Sequence, residues 1–318
     1  MSGRGFSLMV LVAGTAAAGL GAALLDPGAL YLLSEVVVIM ILAQMWNLLA
    51  GYAGQVSLGH QLFVGLGGYI LFLGANATGV SFWVWLAVAP VIAGLIAVPL
   101  GLVVFHLKHA YFAVGMWVAA EIVAALVLKL AWTGGSAGLI LRPGGESLTS
   151  NPERIVAFVL AFGLVALIVG LRAFLRSGTG LALLAMRDNP AAAEASGVDV
   201  RRMHLLVFCA SAMGCAAAGG AYYINALYIS PADAFQMNWL IAMMFVTVIG
   251  GLGTLTGPLL GTVVFITIRE VMTEAGFSGG SYWLVIGGLA VAILLVAPRG
   301  LWPALINCKT VLTRKATR

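Results

Sequence analysis

Few side chains in this sequence could act chemically, and they are scattered. The four histidines (His60, His106, His109, His204) and three cysteines (Cys209, Cys215, Cys308) show neither metal-ligand nor disulfide-framework spacing, so no metal and no cofactor is expected. There is no G-x-x-x-x-G-K-[ST] loop, no G-x-S-x-G elbow and no H-E-x-x-H helix. An enzyme would need a paired nucleophile and base that the chain does not offer, and it cannot hydrolyse ATP alone.

What remains is polar groups set among small or apolar residues. Gly51, Gly54, Gly59, Gly65, Gly67 and Gly68 surround Gln55, Ser57, His60 and Gln61. Such glycine density weakens a helix and lets backbone approach backbone or solute. The stretch reads either as tight helix packing or as a broken helix whose free N–H and C=O groups line a path. Glu121 lies near the middle of an apolar run over 111–132, where a carboxylate must be paired, protonated or turned to water, so an interior or cavity position is expected. Lys129, eight residues on, is no direct partner for it. Glu35 reads as interfacial. Thr133, Gly134 and Gly135 sit just beyond the 111–132 run, as a short hairpin or as a loop dipping inward. Gly253, Gly257 and Gly261 recur at four-residue spacing, which predicts a flat packing ridge on one helix, although Pro258 complicates it.

The elements that position these groups must be membrane helices. Of 318 residues, 62% are hydrophobic and 8% charged, against roughly 25% charged in an average soluble domain. Apolar windows predict spans near 6–25, 29–50, 57–74, 82–105, 111–132, 153–172, 204–228, 238–252, 257–273 and 281–297, about ten (8–10) helices in an all-α integral membrane protein. The stretches 57–74 and 238–273 are short or glycine-interrupted and read as broken or re-entrant. A cleaved signal peptide is the competing reading of 6–25. The whole chain, 1–318, reads as one transmembrane domain with no room for a fused soluble one. The four-span halves 29–132 and 204–297 hint at duplication without any residue-level repeat. Twelve of the sixteen Lys and Arg fall at one side if both termini are inside, which predicts cytoplasmic N- and C-termini. The net charge of +5 thus reports orientation and predicts no nucleic-acid partner.

The main polar loop, RAFLRSGTGLALLAMRDNPAAAEASGVDVRR (172–202), carries eight of the charges. Within it Asn189 suits an N-cap, Pro190 the first helical position, the alanines a helix, and Gly197 its left-handed stop. The result is a short surface helix with a small-residue face, either an ordinary solvated element or a contact for another protein.

The segment RSGTGLALLAMRDNPAAAEASGVD resembles the coupling loop of branched-chain amino-acid (Liv-type) ABC importer permeases. GYAGQVSLGHQLFVGLGGY (51–69), WTGGSAGL (132–139), GGLGTLTGPLLGT (250–262) and APRGLWP (297–303) agree with the same family, in order along the chain. The chain looks like the M-type subunit. The resemblance implies a type II importer-like fold in a bacterial cytoplasmic (inner) membrane, an H-type second permease, two ATPase subunits and an extracytoplasmic solute-binding protein. It implies a coupling loop about 173–203, a cytoplasmic tail about 298–318, and coupling contacts at Arg187, Asp188, Asn189, Ala192, Ala193, Glu194, Ala195 and Gly197. Path candidates are Gln55, Ser57, Gly59, His60, Gly68, Glu121, Thr133, Gly134 and Gly135; Gly253, Gly257 and Gly261 are structural. Similar sequences serve urea, short amides and aromatic acids, so the solute stays open. The competing class is an ion-coupled secondary transporter or channel for a small polar solute, with Glu121 as the ion site.

Overall fold

The computed structural model describes residues 26–107, 110–142, 152–276, 280–298 and 300–305. The expected span 6–25, the tail beyond 305, Lys108, His109, Arg299 and Cys308 lie outside the described residues. Most apolar windows form single helices. Helix α1 (Pro27–Asn47) starts with proline in its first turn, where the missing N–H costs nothing, and runs into a π-turn, Leu48–Tyr52. Helix α2 (Gln61–Thr78) stops at Gly79, at φ 66°. Helix α3 (Phe82–Val104) is capped by Ser81, whose Oγ accepts from the Trp83 N–H at 3.3 Å. Helices α4 (Ala110–Lys129) and α5 (Pro152–Leu175) follow, and then the short α6 (Gly178–Asp188) and α7 (Pro190–Ala195). Helix α8 (Val200–Ala226), α9 (Pro231–Ala234), α10 (Met237–Gly250), α11 (Gly257–Glu274) and α12 (Gly280–Val296) complete the chain.

Seven segments among the described residues are long and apolar enough to cross a membrane. Helix α11 differs in ending on Arg269, Glu270 and Glu274, and α12 is only 17 residues long. The 238–273 stretch is broken: residues 251–256 are non-helical between α10 and α11. Residues 53–60 are likewise non-helical before α2, which starts four residues later than the window suggests.

Helix α8 is the spine, packed against α1, α2, α3 and α5. Small residues set its approach to α2. A Cβ on Gly67 would run into the Ala216 carbonyl, and one on Gly219 would run into the Val64 carbonyl, so the two backbones touch reciprocally. Helices α1, α10 and α11 form a second cluster around Ile39, Val246 and Phe265. The α4 and α5 spans are only 28% buried, against 67% for α2, so these two helices turn much of their surface outward.

The two ends differ. At one, a two-residue antiparallel pair joins β1 (Leu139–Ile140) to β2 (Tyr228–Ile229), a small departure from an all-α fold. Asn76 holds it, donating to the Ile140 carbonyl at 2.9 Å and accepting from the Arg142 N–H at 2.8 Å. At the other end the π-turn, the 53–60 segment, the 251–256 break, α6 and α7 come together.

Candidate functional site

Broken backbone inside a membrane must have its polar groups satisfied by other parts of the protein. At the 251–256 break this is done by two amides on α1, Gln44 and Asn47, both fully buried. Gln44 Nε2 donates to the Leu255 carbonyl at 2.6 Å, and Asn47 Nδ2 donates to the Thr254 carbonyl at 2.9 Å. Asn47 Oδ1 accepts from the Gly253 N–H at 2.8 Å. Neither residue belongs to a motif; the available signal is two amides three positions apart, just after the apolar run 36–43.

The break also corrects the expected glycine ridge. Gly253 is not on a helix but in the loop, at φ 72°, because α11 begins only at Gly257 with Pro258 in its first turn. Gly257 and Gly261 do form a seam: Cβ atoms on Gly250 and Gly261 would strike the carbonyls of Gly257 and Val246.

The 53–60 segment is packed from within. Ser57 and His60 are fully buried, and a Cβ on Gly59 would meet the Met116 carbonyl of α4. Trp46 Nε1–H donates to the Ser57 carbonyl at 2.9 Å, while Ser57 Oγ accepts from the Gly59 N–H at 3.3 Å. Ser211 Oγ donates its only proton to the Met45 carbonyl at 2.8 Å, so His60 Nε2, 2.8 Å away, carries the ring proton and donates to Oγ. His60 Nδ1 is then a buried acceptor without a partner among the described residues. Gln55 is half-buried, with Nε2 3.4 Å from His204 Nε2. Gly68 lies further along α2, where a Cβ would come within 2.5 Å of Ile229 and 2.6 Å of Tyr223.

Thr133, Gly134 and Gly135 lie past the far end of α4, away from that group. Thr133 is buried and its Oγ1 bonds the Leu130 carbonyl at 2.6 Å, closing the last turn of α4. Gly134 and Gly135 take φ of 80° and 54°, conformations that favour glycine. Thr133, Gly134 and Gly135 thus stand at the β1–β2 end of the bundle, apart from the Gln55–His60 group.

Glu121 requires a correction. It is exposed rather than interior, on a stripe of α4 that also shows Val114, Trp117, Val118 and Ile122. Trp117 Nε1–H donates to Glu121 Oε1 at 3.2 Å, and no cation among the described residues pairs with it. Glu35, expected at the interface, is paired within the chain. Both its oxygens accept from Arg269 of α11, Oε2 at 2.8 Å from Nη2. That pair joins residues too far apart in sequence for any local pattern to reveal.

In the polar loop, Asn189 Oδ1 accepts from the Ala192 N–H at 3.1 Å, Pro190 opens α7, and Gly197 has φ 86°. Ala192, Glu194 and Ala195 are exposed, but Ala193 is buried against its own chain, which corrects its expected place on the outward face. Arg187, with Asp188 beside it, donates from Nη1 to the Gly51 carbonyl at 3.0 Å.

A family model described as branched-chain amino acid transport system / permease component matches residues 28–296. The high-affinity branched-chain amino acid transport system permease protein LivM of Escherichia coli (strain K12) is 28% identical over 290 residues, covering 83% of this chain and 67% of the relative. LivM of Salmonella typhimurium is 26% identical over 302 residues, 87% of this chain and 70% of the relative. A probable branched-chain amino acid transport permease protein LivH of Methanocaldococcus jannaschii is 27% identical over 154 residues, 46% of this chain and 48% of the relative. No solved structure matches.

Proposed function

Because the chain belongs to the branched-chain amino acid transport permease family, we propose that it is the M-type membrane subunit of an ABC importer for branched-chain or related apolar amino acids. Two separate ATPase subunits drive it, an H-type permease completes the path, and an extracytoplasmic binding protein delivers the solute. In this reading the chain has ten spans in a type II importer-like arrangement, and both termini lie in the cytoplasm. The end bearing the π-turn and α7 faces the cytoplasm, and the β1–β2 end receives solute. Arg172, Arg176, Arg187, Arg201 and Arg202 support that orientation, since positive charge concentrates on the cytoplasmic side.

The second permease covers the open face of α4. Glu121 supports this: a carboxylate facing hydrocarbon at mid-depth costs about 2.5–3.5 kcal/mol, so its stripe is not a lipid face.

The observation that carries the reading is α7, a capped helix with small exposed residues at the end where both broken segments lie. It is the docking element for an ATPase subunit. Ala195, opposite buried Ala193, is the position to test. Ala195→Arg keeps helix propensity and suits the helix C-terminus, but places a long side chain in the contact. Normal membrane yield is expected, with loss of the co-purifying ATPase and of binding-protein-stimulated ATP hydrolysis. Retention of both would overturn the docking assignment. A screen of leucine, isoleucine and valine against urea, short amides and aromatic acids on the cognate binding protein tests the solute. Uptake that runs on an ion gradient without ATP would overturn the ABC reading.

A further inference from the structure

Backbone at Gly51, Gly54 and Gly253 closes on a single arginine side chain, with Gly51 bonded to its guanidinium. Gly51 lies in the π-turn, Gly54 opens the 53–60 segment, and Gly253 sits in the break between α10 and α11. Arg187 comes from the last turn of α6, two residues before the Asn189 that caps α7. Its Nη1 donates to the Gly51 carbonyl at 3.0 Å, while Nε and Nη2 donate to Asp188 Oδ1 at 3.1 and 3.0 Å, which fixes the plane of the fork.

The glycines are what permit this approach. A Cβ on Gly54 would lie 3.3 Å from Arg187 Cγ, one on Gly253 would lie 3.0 Å from Nη1, and one on Gly51 would lie 2.6 Å from the Gly253 nitrogen. Gly54 and Gly253 also take φ of 74° and 72°. Asn47 ties Gly253 to α1, so the contact extends into the helix core. On the other side, α6 and α7 meet with hardly a joint: the Asn189 N–H donates to the Ala185 carbonyl at 2.9 Å, and the Ala193 N–H donates to the Asn189 carbonyl at 3.1 Å. Displacement of α7 therefore reaches Arg187 through a short hydrogen-bonded element, and Arg187 reaches both irregular segments directly.

We propose that Arg187 is a positioning residue that transmits movement of the α6–α7 element to the broken backbone at 51–54 and 253–254, so that ATPase motion and opening of the path are coupled through it. This rests on α7 being the ATPase docking helix. Arginine is required because a planar fork can bond Asp188 and Gly51 together, whereas the single ammonium of lysine cannot reproduce both contacts.

The test uses the whole complex, with partner permease, ATPase subunits and binding protein, in proteoliposomes carrying Arg187→Ala or Arg187→Lys. ATPase co-purification and ATP hydrolysis are measured on the same vesicles, and uptake is expressed per ATP hydrolysed by the bound ATPase. Leucine taken up per ATP hydrolysed should fall about tenfold in Arg187→Ala and by less in Arg187→Lys. Hydrogen exchange at the 51–54 and 253–254 amides should change on ATP binding in the wild type and not in Arg187→Ala, a readout that holds whatever the solute. Unchanged uptake per ATP together with an unchanged exchange response would overturn the proposal. So would loss of the ATPase from Arg187→Ala, which would make Arg187 a docking residue. If Arg187→Ala gives no folded complex, Arg187→Lys decides by the same readouts. The Ala195→Arg control separates the two ideas: an ATPase retained there refutes docking on α7, while the Arg187 exchange response is still read on its own.

Discussion

Two carboxylates stand inside apolar helices of this chain, and the fold treats them oppositely. Glu35, about 12 Å into α1, is held by both nitrogens of an Arg269 fork from α11, with side chains 20% and 22% exposed. Glu121, about 16 Å into α4, has among the described residues only an indole N–H from its own helix and is exposed. The first is balanced within the chain and joins two elements of one cluster. The second has no oppositely charged partner among the described residues and stands on an exposed stripe of α4. An ionisable residue in a membrane helix therefore carries two different messages, according to whether its partner belongs to the same chain.

The comparison is broken most severely by removing the inner partner. Among the described residues, Glu35→Ala leaves Arg269 paired with Glu270 alone, at 3.1 Å. Loss of one member of a largely buried pair costs about 3–5 kcal/mol. A sharply lower yield of monodisperse protein and a lower Tm in detergent are expected. Replacing both members, in Glu35→Gln with Arg269→Met, should restore most of the loss, because no unpaired charge is then left.

A third carboxylate, introduced where no cation waits, sharpens the point. Ala193 is 4% exposed and packs against its own chain, so Ala193→Asp buries an unpaired charge at a cost of a few kcal/mol. The damage should appear in this subunit alone, as loosened α6–α7 structure and faster proteolysis there, before any partner is added. Normal proteolytic resistance with failed ATPase binding would place Ala193 on the outer face instead.

The same contrast explains what the sequence discloses. Helix existence was legible because apolar windows bounded by Gly, Pro and charge are local, and the Asn189–Pro190–Gly197 punctuation of α7 is local too. Facing was not legible. Alanines all round α7 give no hint that Ala193 alone is buried, and Glu121 carries no mark of pointing outward. Long-range pairs were hidden as well, since Asn47 and Gly253 are 206 residues apart and Glu35 and Arg269 are 234 apart. The glycine spacing misled for a physical reason: four-residue recurrence suggests one helix, but Pro258 in the first turn of α11 places Gly253 before its start.

The smallest effect on the isolated subunit belongs to Glu121. Glu121→Gln keeps an oxygen that can accept from Trp117 Nε1–H and removes no internal ion pair, so the Tm should move by less than the equivalent of about 0.5 kcal/mol, as for an ordinary surface change. The consequence should appear only in the assembly. If the second permease presents a cation to this stripe, loss of the charge leaves that cation desolvated and unpaired, weakening association by about 2 kcal/mol. Co-purification of the second permease from membranes expressing the whole complex should fall accordingly, while Glu121→Asp retains part of it. Undiminished association and uptake in Glu121→Gln would reduce Glu121 to a neutral hydrogen-bond acceptor. The difference between the two carboxylates would then lie in packing alone, not in charge.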